Sequence, residues 1–270
     1  MADLNMATVM SLSGRIGLVT GRGTGIGFMI AKAFAANGAK VYITGRRLQM
    51  DVTDEEDVKA GAKHIEEING KLDILVNNAG YAGARNQAGS HDSDFAMKKY
   101  AAEDIFEPET VQNWADLFRL NTIAPFFIIR AFQSLLVKGA SSHPQGTSSV
   151  INISSVAAKS NTSVSMVSVA YSVTKAALDK LTLVLATSFA GRGIPIQVNA
   201  LQPGVFVSEM APPELLEALK TQLLPGQVVP IPVGRHGDAE MGMTVLYLAV
   251  SGYTNGAVLS VDGGVSLVNP

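Results

Sequence analysis

The stretch IGLVTGRGTGIGFMIAKAFAANGAKVYIT, residues 16–44, decides the fold. It begins with a short run rich in β-branched residues over 16–20, which ends in a glycine cluster. An apolar pattern of helical period follows over 28–39, and a second strand-like run covers 40–44. Apolar runs of strand length that alternate with helical periods are typical of a parallel sheet covered on both faces. The stretch therefore predicts a strand–helix–strand unit of an α/β domain.

The same alternation continues along the rest of the chain. We predict further strands at 72–78, 149–154, 194–201 and 257–264, and helices at 54–69, 110–138, 171–190 and 239–250. No internal repeat or low-complexity linker interrupts them. The predicted fold class is α/β, a Rossmann-type doubly wound parallel sheet, in a single domain over residues 1–270.

Composition excludes several classes of protein. The 270 residues are 47% apolar and 16% charged, which favours a packed core over disorder. A net charge of −2 without a long basic run gives no reason to expect nucleic acid. The absence of cysteine rules out disulfides, iron–sulfur clusters and thiolate zinc sites. The four histidines are scattered along the chain and do not have the spacing of metal ligands, so we expect no metal site. They are His64, His91, His143 and His236.

Neither the N-terminal stretch nor the most apolar helical run indicates a membrane segment. The stretch MADLNMATVMSLSGR at 1–15 lacks the basic start and long apolar core of a signal peptide. The most apolar helical run, APFFIIRAFQSLLV at 124–137, is interrupted by Arg130 and Gln133 and is too short to span a bilayer. We therefore expect a soluble cytoplasmic protein without a membrane partner.

The glycine cluster TGRGTGIG, residues 20–27, predicts a dinucleotide site. Glycine permits a tight turn and lets the backbone approach a pyrophosphate, while the following helix start supplies N–H donors. A glycine turn without a ligand is the alternative, which the strand–turn–helix context disfavours. At the end of the second strand stand Arg46 and Arg47, where an NAD site needs an acidic residue. Arginine suits a 2′-phosphate, so NADP(H) is preferred over NAD(H); the alternative is that both arginines are solvated surface charges.

The run YSVTK, residues 171–175, is a candidate for acid–base chemistry. Its Tyr171 and Lys175 stand four residues apart near a helix start and so share one face. A nearby ammonium stabilises a phenolate, which lowers the tyrosine pKa and lets the pair exchange a proton with a carbonyl or alcohol oxygen. This spacing is common by chance, and its weight comes from the motifs that accompany it.

Taken together, the motifs resemble the short-chain dehydrogenase/reductase family, in particular 3-oxoacyl-(acyl carrier protein) reductase-like members of fungal secondary metabolism. They run in family order from residue 16 to 264: TGRGTGIG, DV (51–52), NNAG (77–80), Asn121, NISS (152–155), YSVTK, VNALQPG (198–204) and VDGG (261–264). The resemblance implies a catalytic set of Asn121, Ser155 (rather than Ser154), Tyr171 and Lys175. It implies cofactor contacts from these two last residues and from Gly21, Gly23, Thr24, Gly25, Ile26, Gly27, Asp51, Val52, Asn78, Ala79, Gly80, Pro203, Gly204, Val205 and Ser208. Asn77 is expected on the adenosine side or in support of the central strand.

Within this set the resemblance gives each catalytic residue a role. Tyr171 would be the general acid, Ser155 would hydrogen-bond the substrate carbonyl, and Lys175 would lower the tyrosine pKa and hold the nicotinamide ribose. Asn121 would hold a relay water through its backbone carbonyl. Proline cannot donate to the carbonyl four residues before it, so Pro125 predicts a freed Asn121 carbonyl and a helix kink; a kink without catalytic meaning is the alternative.

The chain departs from the family in four places. Ser208 replaces a frequent threonine, Thr24 replaces a frequent basic residue, and the segment from Ser155 to Tyr171 is long. The largest departure is at 45–50, where the family has a further helix and strand. About 16 residues cannot fit there, so we predict that both elements are absent, that the edge of the strand at 40–44 is newly exposed, that the adenine pocket is less enclosed, and that NADPH binds more weakly.

The predicted function is NADPH-dependent reduction of a ketone, a 3-oxoacyl or secondary-metabolite carbonyl, or the reverse reaction. Two alternatives stay open: a nucleotide-binding sensor or scaffold, and a reductase fold recruited for cyclisation, dehydration or epimerisation. Polar residues at about 81–109 and Pro- and Leu-rich residues at 204–234 are candidate substrate loops, or else surface decoration. The resemblance further implies a homodimer or homotetramer built on the helices at 110–138 and 171–190.

Overall fold

The computed structural model describes residues 5–21, 23–44, 50–83, 109–161, 168–208, 217 and 230–269. Its strands are β1 (Ile16–Val19), β2 (Lys40–Ile43), β3 (Ile74–Asn77), β4 (Ser148–Ile153), β5 (Ile196–Pro203) and β6 (Val258–Val261). Its α-helices are α1 (Met6–Val9), α2 (Gly25–Ala36), α3 (Glu55–Asn69), α4 (Val111–Phe118), α5 (Ala124–Ala140), α6 (Val169–Gly191), α7 (Ala239–Val250) and α8 (Val265–Val268). A π-helix (Arg119–Ile123) joins α4 to α5, and a 3₁₀ helix (Val156–Ala158) follows β4.

All six strands are parallel and lie in the order β2-β1-β3-β4-β5-β6. This confirms the predicted doubly wound sheet. The chain leaves β1 toward β2 on one side and later returns to β3 on the other, so the strand order reverses between β1 and β3. In open α/β sheets the carboxyl ends of the strands at such a reversal form the ligand crevice.

Two apolar cores cover the two faces of the sheet. Neighbouring residues of β1 point to opposite faces: Leu18 joins the core beneath α3, α5 and α6, and Val19 joins the core beneath α2 and α7. Both side chains are fully buried. The central strand β3 is buried along its whole length, and its residues Ile74, Leu75 and Val76 are consecutive apolar residues instead of an alternating pattern.

The helical run from Val111 to Ala140 is, within the described ranges, the one helix long and apolar enough by length and composition to cross a membrane. Here one of its faces belongs to the core, where Ile128, Phe132 and Leu135 are each at most 1% exposed. Its hydropathy is therefore accounted for by packing against the sheet and α3.

Strand β2 is the outermost strand on its side of the described sheet, as the short connection predicted. Only residues 45–49 separate Thr44 from the next described residue, Met50. Tyr42 on this strand is 8% exposed, and its hydroxyl accepts a hydrogen bond from Asn69 of α3 at 2.9 Å. The side of β2 that carries Tyr42 is therefore covered by α3, although the short connection leaves no room for the family's outer strand. Of the two candidate substrate loops, 84–108, 209–216 and 218–229 lie outside the described residues.

Candidate active site

The glycine loop between β1 and α2 is shaped by two residues with positive φ. Gly21 has φ +102°, and a Cβ atom there would lie 2.9 Å from Asn78 Nδ2. Gly25 has φ +53°, and a Cβ atom there would lie 2.9 Å from Ser208 Cβ. Side chains are excluded at both places by backbone conformation and by space, so the backbone lines the crevice directly.

Helix α2 begins at this loop with its first backbone donors uncapped. Thr24 occupies the N-cap in an extended conformation, and its side chain makes no capping hydrogen bond. The first-turn residues Gly25, Ile26 and Gly27 therefore keep the free N–H groups and the positive helix end that bind a pyrophosphate. Gly23 precedes them in the loop. These residues fit the phosphates of a nicotinamide dinucleotide.

Two threonine hydroxyls tie the glycine loop to its neighbours. Thr20 Oγ1 accepts hydrogen bonds from the backbone N–H groups of Asn78 at 3.0 Å and Ala79 at 3.2 Å. Thr44 Oγ1 accepts one from the N–H of Gly21 at 2.8 Å. The predicted contacts at 21–27 and 78–80 are thereby held at one edge. Asn77 instead donates to Asn152 Oδ1 at 2.8 Å, which places it in support of the central strands.

The turn that follows the short connection carries Asp51 and Val52, which the sequence predicted on the adenosine side. Asp51 Oδ1 accepts hydrogen bonds from the N–H and the hydroxyl of Thr53, both at 2.8 Å, and these bonds lower the pKa of the Asp51 carboxyl. Val52 is 8% exposed and packs in the core. Arg119 donates to the carbonyl of Thr53 at 2.9 Å and so ties the turn to the π-helix. Arg46 and Arg47 lie outside the described residues.

Asn121 lies at the centre of the π-helix, fully buried. Its amide is used up by neighbours: Nδ2 donates to the Tyr81 carbonyl at 3.2 Å and to Thr174 Oγ1 at 3.1 Å, and Oδ1 accepts from the Tyr81 N–H at 3.3 Å. The predicted departure from α-helical geometry before Pro125 is present, in the form of a π turn, an arrangement frequent at functional sites. The side chain of Asn121 is therefore engaged, and Pro125, which has no N–H, cannot donate to its backbone carbonyl.

Gly80 brings the cofactor edge against the catalytic helix. A Cβ atom on Gly80 would lie 2.9 Å from Asn121 Oδ1 and 3.4 Å from Lys175 Nζ. The NNAG segment, the π-helix and α6 therefore meet at this glycine.

Tyr171 is buried, with 7% of its surface exposed. Burial raises the pKa of its phenol above the ordinary value, and a hydrogen bond with Ser155 opposes that rise. The structure thus brings Ser155, rather than Ser154, to the phenol; Ser154 donates to the carbonyl of Lys175 at 3.2 Å instead. The expected net lowering of the tyrosine pKa is wrong for this arrangement, because desolvation raises it by more than the neighbouring groups lower it.

The ammonium of Lys175 lies 5.6 Å from the centre of the Tyr171 ring and donates to the carbonyl of Ile153 at 2.8 Å. The residue is 4% exposed. Burial lowers the pKa of Lys175 to about 8, although Asp179 acts to raise it. A cation is therefore held within reach of the phenol, one helical turn from it.

The start of α6 is fixed by residues that the sequence patterns did not single out. Ser168 caps the helix by accepting from the N–H of Tyr171 at 3.1 Å, and its hydroxyl donates to the carbonyl of Ala82 at 3.1 Å. The Glu109 carboxylate accepts from the N–H of Val169 and from that of Ala170 at 3.2 Å. An anion at a helix N-terminus is stabilising, and here it sets the position of Tyr171.

The remaining predicted contacts follow β5. Pro203 ends that strand opposite Val261 of β6, and Gly204 donates to the carbonyl of Val261 at 2.9 Å. Val205 accepts from the N–H of Gly237 at 2.9 Å. Ser208 touches the glycine loop at Gly25, as noted above. All four thus lie at or after the carboxyl end of β5, and Ser208 reaches the glycine loop.

A glycine loop with an uncapped helix start, and a buried tyrosine beside a serine and a lysine at the same sheet edge, define a nicotinamide-dependent oxidoreductase of the doubly wound class. Three comparisons with known proteins agree. A family model described as enoyl-(acyl carrier protein) reductase matches residues 44–266. The short-chain dehydrogenase/reductase VdtF of Byssochlamys spectabilis is 33% identical, with 97% of this chain and 95% of that protein covered.

Two further similarities come from Pseudomonas aeruginosa. The rhamnolipids biosynthesis 3-oxoacyl-(acyl carrier protein) reductase is 32% identical over 97% of this chain and the whole of that protein. The solved RhlG/NADP active-site complex has a TM-score of 0.76 at 31% identity, covering 96% of this chain and 98% of that one. The chain belongs to the short-chain dehydrogenase/reductase family, whose members use a nicotinamide cofactor to act on alcohol and carbonyl groups.

Proposed function

We propose that the protein is an NADPH-dependent carbonyl reductase that converts a ketone into a secondary alcohol. The observation that carries the proposal is the burial of Tyr171 between Ser155 and Lys175 at the edge where the glycine loop opens. When bound, the reduced cofactor supplies the hydride that the ketone carbon receives. The glycine loop and the start of α2 hold its pyrophosphate, and Lys175 holds its nicotinamide ribose.

In this proposal Tyr171 is the general acid. Burial keeps its phenol protonated at neutral pH, which is the form that can donate to the oxygen of a ketone. Ser155 hydrogen-bonds the same oxygen and orients it toward Tyr171. Lys175 stabilises the phenolate left after the transfer, and the backbone carbonyl of Asn121 holds a water through which the phenolate regains its proton.

The test is the substitution Tyr171→Phe, assayed by the loss of reduced-nicotinamide absorbance with a panel of ketones. General acid catalysis contributes about 10²–10⁴-fold, so we expect turnover to fall by at least ~10²-fold while NADPH binding is retained. Tyr253→Phe, at a fully exposed tyrosine, is the matched control. Unchanged turnover in Tyr171→Phe would sink the mechanism.

The preference for NADPH rests on Arg46 and Arg47 and on the absence of an acidic residue at the end of β2. The name of the RhlG/NADP complex supports it by analogy. Dissociation constants for NADPH and NADH, measured by fluorescence on the protein and on Arg46→Ala and Arg47→Ala, test this preference. We expect the variants to lose NADPH affinity and leave NADH affinity unchanged; equal losses for both would contradict a 2′-phosphate site.

An apolar ketone or 3-oxoacyl thioester is the proposed substrate class. Support comes from the apolar composition of 204–234 and from the name of the rhamnolipids relative. A cavity of about 190 Å³ near the described ends of that segment has a mixed lining, which includes the apolar Val205, Phe206, Ile231 and Val233 and the polar Arg235, His236, Glu240 and Asp262. The test is to compare kcat/KM for 3-oxoacyl thioesters, aryl ketones and keto-sugars. Higher values for the first two classes support an apolar substrate, and a preference for keto-sugars would contradict it.

A homodimer or homotetramer in the cytoplasm completes the proposal. The outer faces of α5 and α6 carry exposed apolar side chains, among them Phe126 at 39% and Val184 at 50%. Such faces are typical of protein interfaces. Light scattering on the purified protein measures the mass, and a strictly monomeric protein would contradict this part.

A further inference from the structure

Asp179 is a carboxylate that the proposed chemistry does not use, yet it lies one turn after Lys175 on α6. Residues four apart on a helix share a face, and this face is turned to the sheet. Lys175 occupies it with 4% exposure and Nζ bonded to the Ile153 carbonyl. Asp179 therefore stands on the buried side of the catalytic helix.

The Asp179 carboxylate is held from the sheet side. Gln202 on β5 donates to its Oδ2 at 2.6 Å. Ser260 on β6 in turn donates to Gln202 Oε1 at 2.9 Å, which fixes the orientation of the amide. Asp179 Oδ1 is buried and has no hydrogen-bond partner among the described residues. A half-satisfied carboxylate in this position is unfavourable by itself, and a nearby cation lessens that cost.

The cation on the same face of α6 is the ammonium of Lys175, one turn before Asp179; among the described residues it makes no hydrogen bond to the carboxylate, and its effect is that of a nearby charge. Burial raises the pKa of Asp179, while Ser154, Gln202 and the charges of Lys175 and Lys159 act to lower it. Lys159 is exposed and its Nζ donates to Ser260 Oγ at 2.7 Å; its charge also acts on Asp262. The charged groups that act on the pair are thus Lys159 and the two partners themselves, and Tyr171 lies on the same helix one turn before Lys175.

We propose that Asp179 is a positioning residue for the active site: held by Gln202, its carboxylate keeps Lys175 in the cationic form that Tyr171 and the cofactor ribose require. The inference rests on the proposed role of Lys175. A lysine buried this deeply, without the neighbouring anion, would lose its proton closer to neutral pH. Neutral lysine neither stabilises a phenolate nor carries the charge that polarises the ribose hydroxyls.

The direct test is the titration of Lys175 by NMR of ¹³C-labelled lysine side chains, with the Lys175 signal assigned by its absence in Lys175→Met. In the wild type the midpoint is expected at about 8. In Asp179→Asn, which keeps the shape and removes the charge, it is expected to fall by about one pH unit. Glu67→Gln on the exposed face of α3 is the control and should leave the midpoint in place. An unchanged midpoint in Asp179→Asn overturns the proposal.

A kinetic readout separates this role from a merely structural one. Loss of the charge should leave turnover near the wild-type value at about pH 6 and lower it roughly tenfold at about pH 8.5, because each pH unit corresponds to a tenfold change in the cationic fraction above the midpoint. Equal loss at both pH values would indicate structural damage and contradict the proposal. Where Asp179→Asn does not fold, Asp179→Ser carries the same expectations. If the wild type reduces no ketone, the proposed function fails, and the NMR comparison still decides the role of Asp179.

Discussion

The hydroxyl of Thr44 accepts a hydrogen bond from the backbone N–H of Gly21 at 2.8 Å. Thr44 is 4% exposed and is the last described residue before the short connection at 45–49. The glycine loop is therefore anchored to the second strand immediately before the place where the family's helix and strand are missing. This anchor fixes the shape of the loop that we propose to hold the pyrophosphate, next to a connection that is too short for the family's further helix and strand.

Thr44→Val should weaken cofactor binding through this anchor. The substitution keeps the β-branched shape and removes the hydroxyl, which leaves a backbone donor without its partner. A net loss of about 0.5–1.5 kcal/mol corresponds to a roughly two- to tenfold rise in the dissociation constant for NADPH, measured by fluorescence titration. Thr244→Val, which removes a hydroxyl bonded within α7 at 2.7 Å, should leave NADPH affinity unchanged. Equal affinity in Thr44→Val and the wild type would show that the loop holds its shape without Thr44.

Gly80→Ala should disturb the catalytic residues without touching the cofactor loop. The added Cβ would meet Asn121 Oδ1 at 2.9 Å, so the NNAG segment or the π-helix must shift. Small misplacements of catalytic groups reduce rates by about 10²-fold, and overpacking destabilises by about 1–3 kcal/mol. Turnover and urea denaturation measure the two effects. Gly191→Ala, at the end of α6 with no atom within 4 Å, is the control, and comparable losses there would contradict the steric reason.

The fold could be predicted from the sequence because it follows from short residue patterns and from their order along the chain. Short strand-like runs, such as 74–77 and 148–153, alternate with helical periods, and this alternation indicates a doubly wound parallel sheet. The missing outer strand follows from counting, since the residues between Thr44 and Met50 are too few for a helix and a strand. Element ends moved by one to three residues, as with the glycine-loop helix, which begins at Gly25 rather than at 28.

The electrostatics of the site could not be predicted, because they depend on burial and on partners distant in sequence. The Tyr171 spacing indicated a lysine that lowers its pKa, whereas desolvation raises it. Pro125 indicated a kink, and the chain resolves the same conflict as a π turn around Asn121. Likewise, the sequence predicted His143 to be a surface or loop histidine, whereas its Nε2 lies 2.7 Å from Oδ1 of Asp73, seventy positions away in the sequence.

Asp73→Ala should destabilise the fold at the sheet edge opposite the site. This carboxylate is 1% exposed and accepts from the N–H of Ile16 at 2.6 Å. It also pairs with Lys71 at 3.2 Å and with His143. Removing one member of a buried pair costs about 3–5 kcal/mol, which we expect to see in the free energy of unfolding from urea denaturation. The control Glu66→Ala breaks the exposed ion pair with Lys138 and should lower the free energy of unfolding by less than about 1 kcal/mol. Similar losses in the two variants would contradict a stabilising role for the buried Asp73 pair.

Lys175 should make the stability of the protein rise with pH above 8. Its pKa is about 8 in the folded protein against an ordinary 10.5, so between these values the unfolded chain holds a proton that the folded chain has released. Stability then increases with pH, because the unfolded state binds more protons. Below pH 8 both states are protonated, and the folded state bears the full penalty of the buried ammonium. Each pH unit inside the window contributes about 1.4 kcal/mol.

The measurement is urea denaturation at about pH 8 and pH 10 on the wild type, Lys175→Met and Lys63→Met. Over this interval the free energy of unfolding of the wild type should rise by about 2 kcal/mol more than that of Lys175→Met. Lys63 is exposed, and its ion pair with Glu67 at 3.8 Å lies on the surface of α3, so Lys63→Met should follow the wild type. A wild type that tracks Lys175→Met across the interval would mean that the active-site lysine titrates as a solvated side chain.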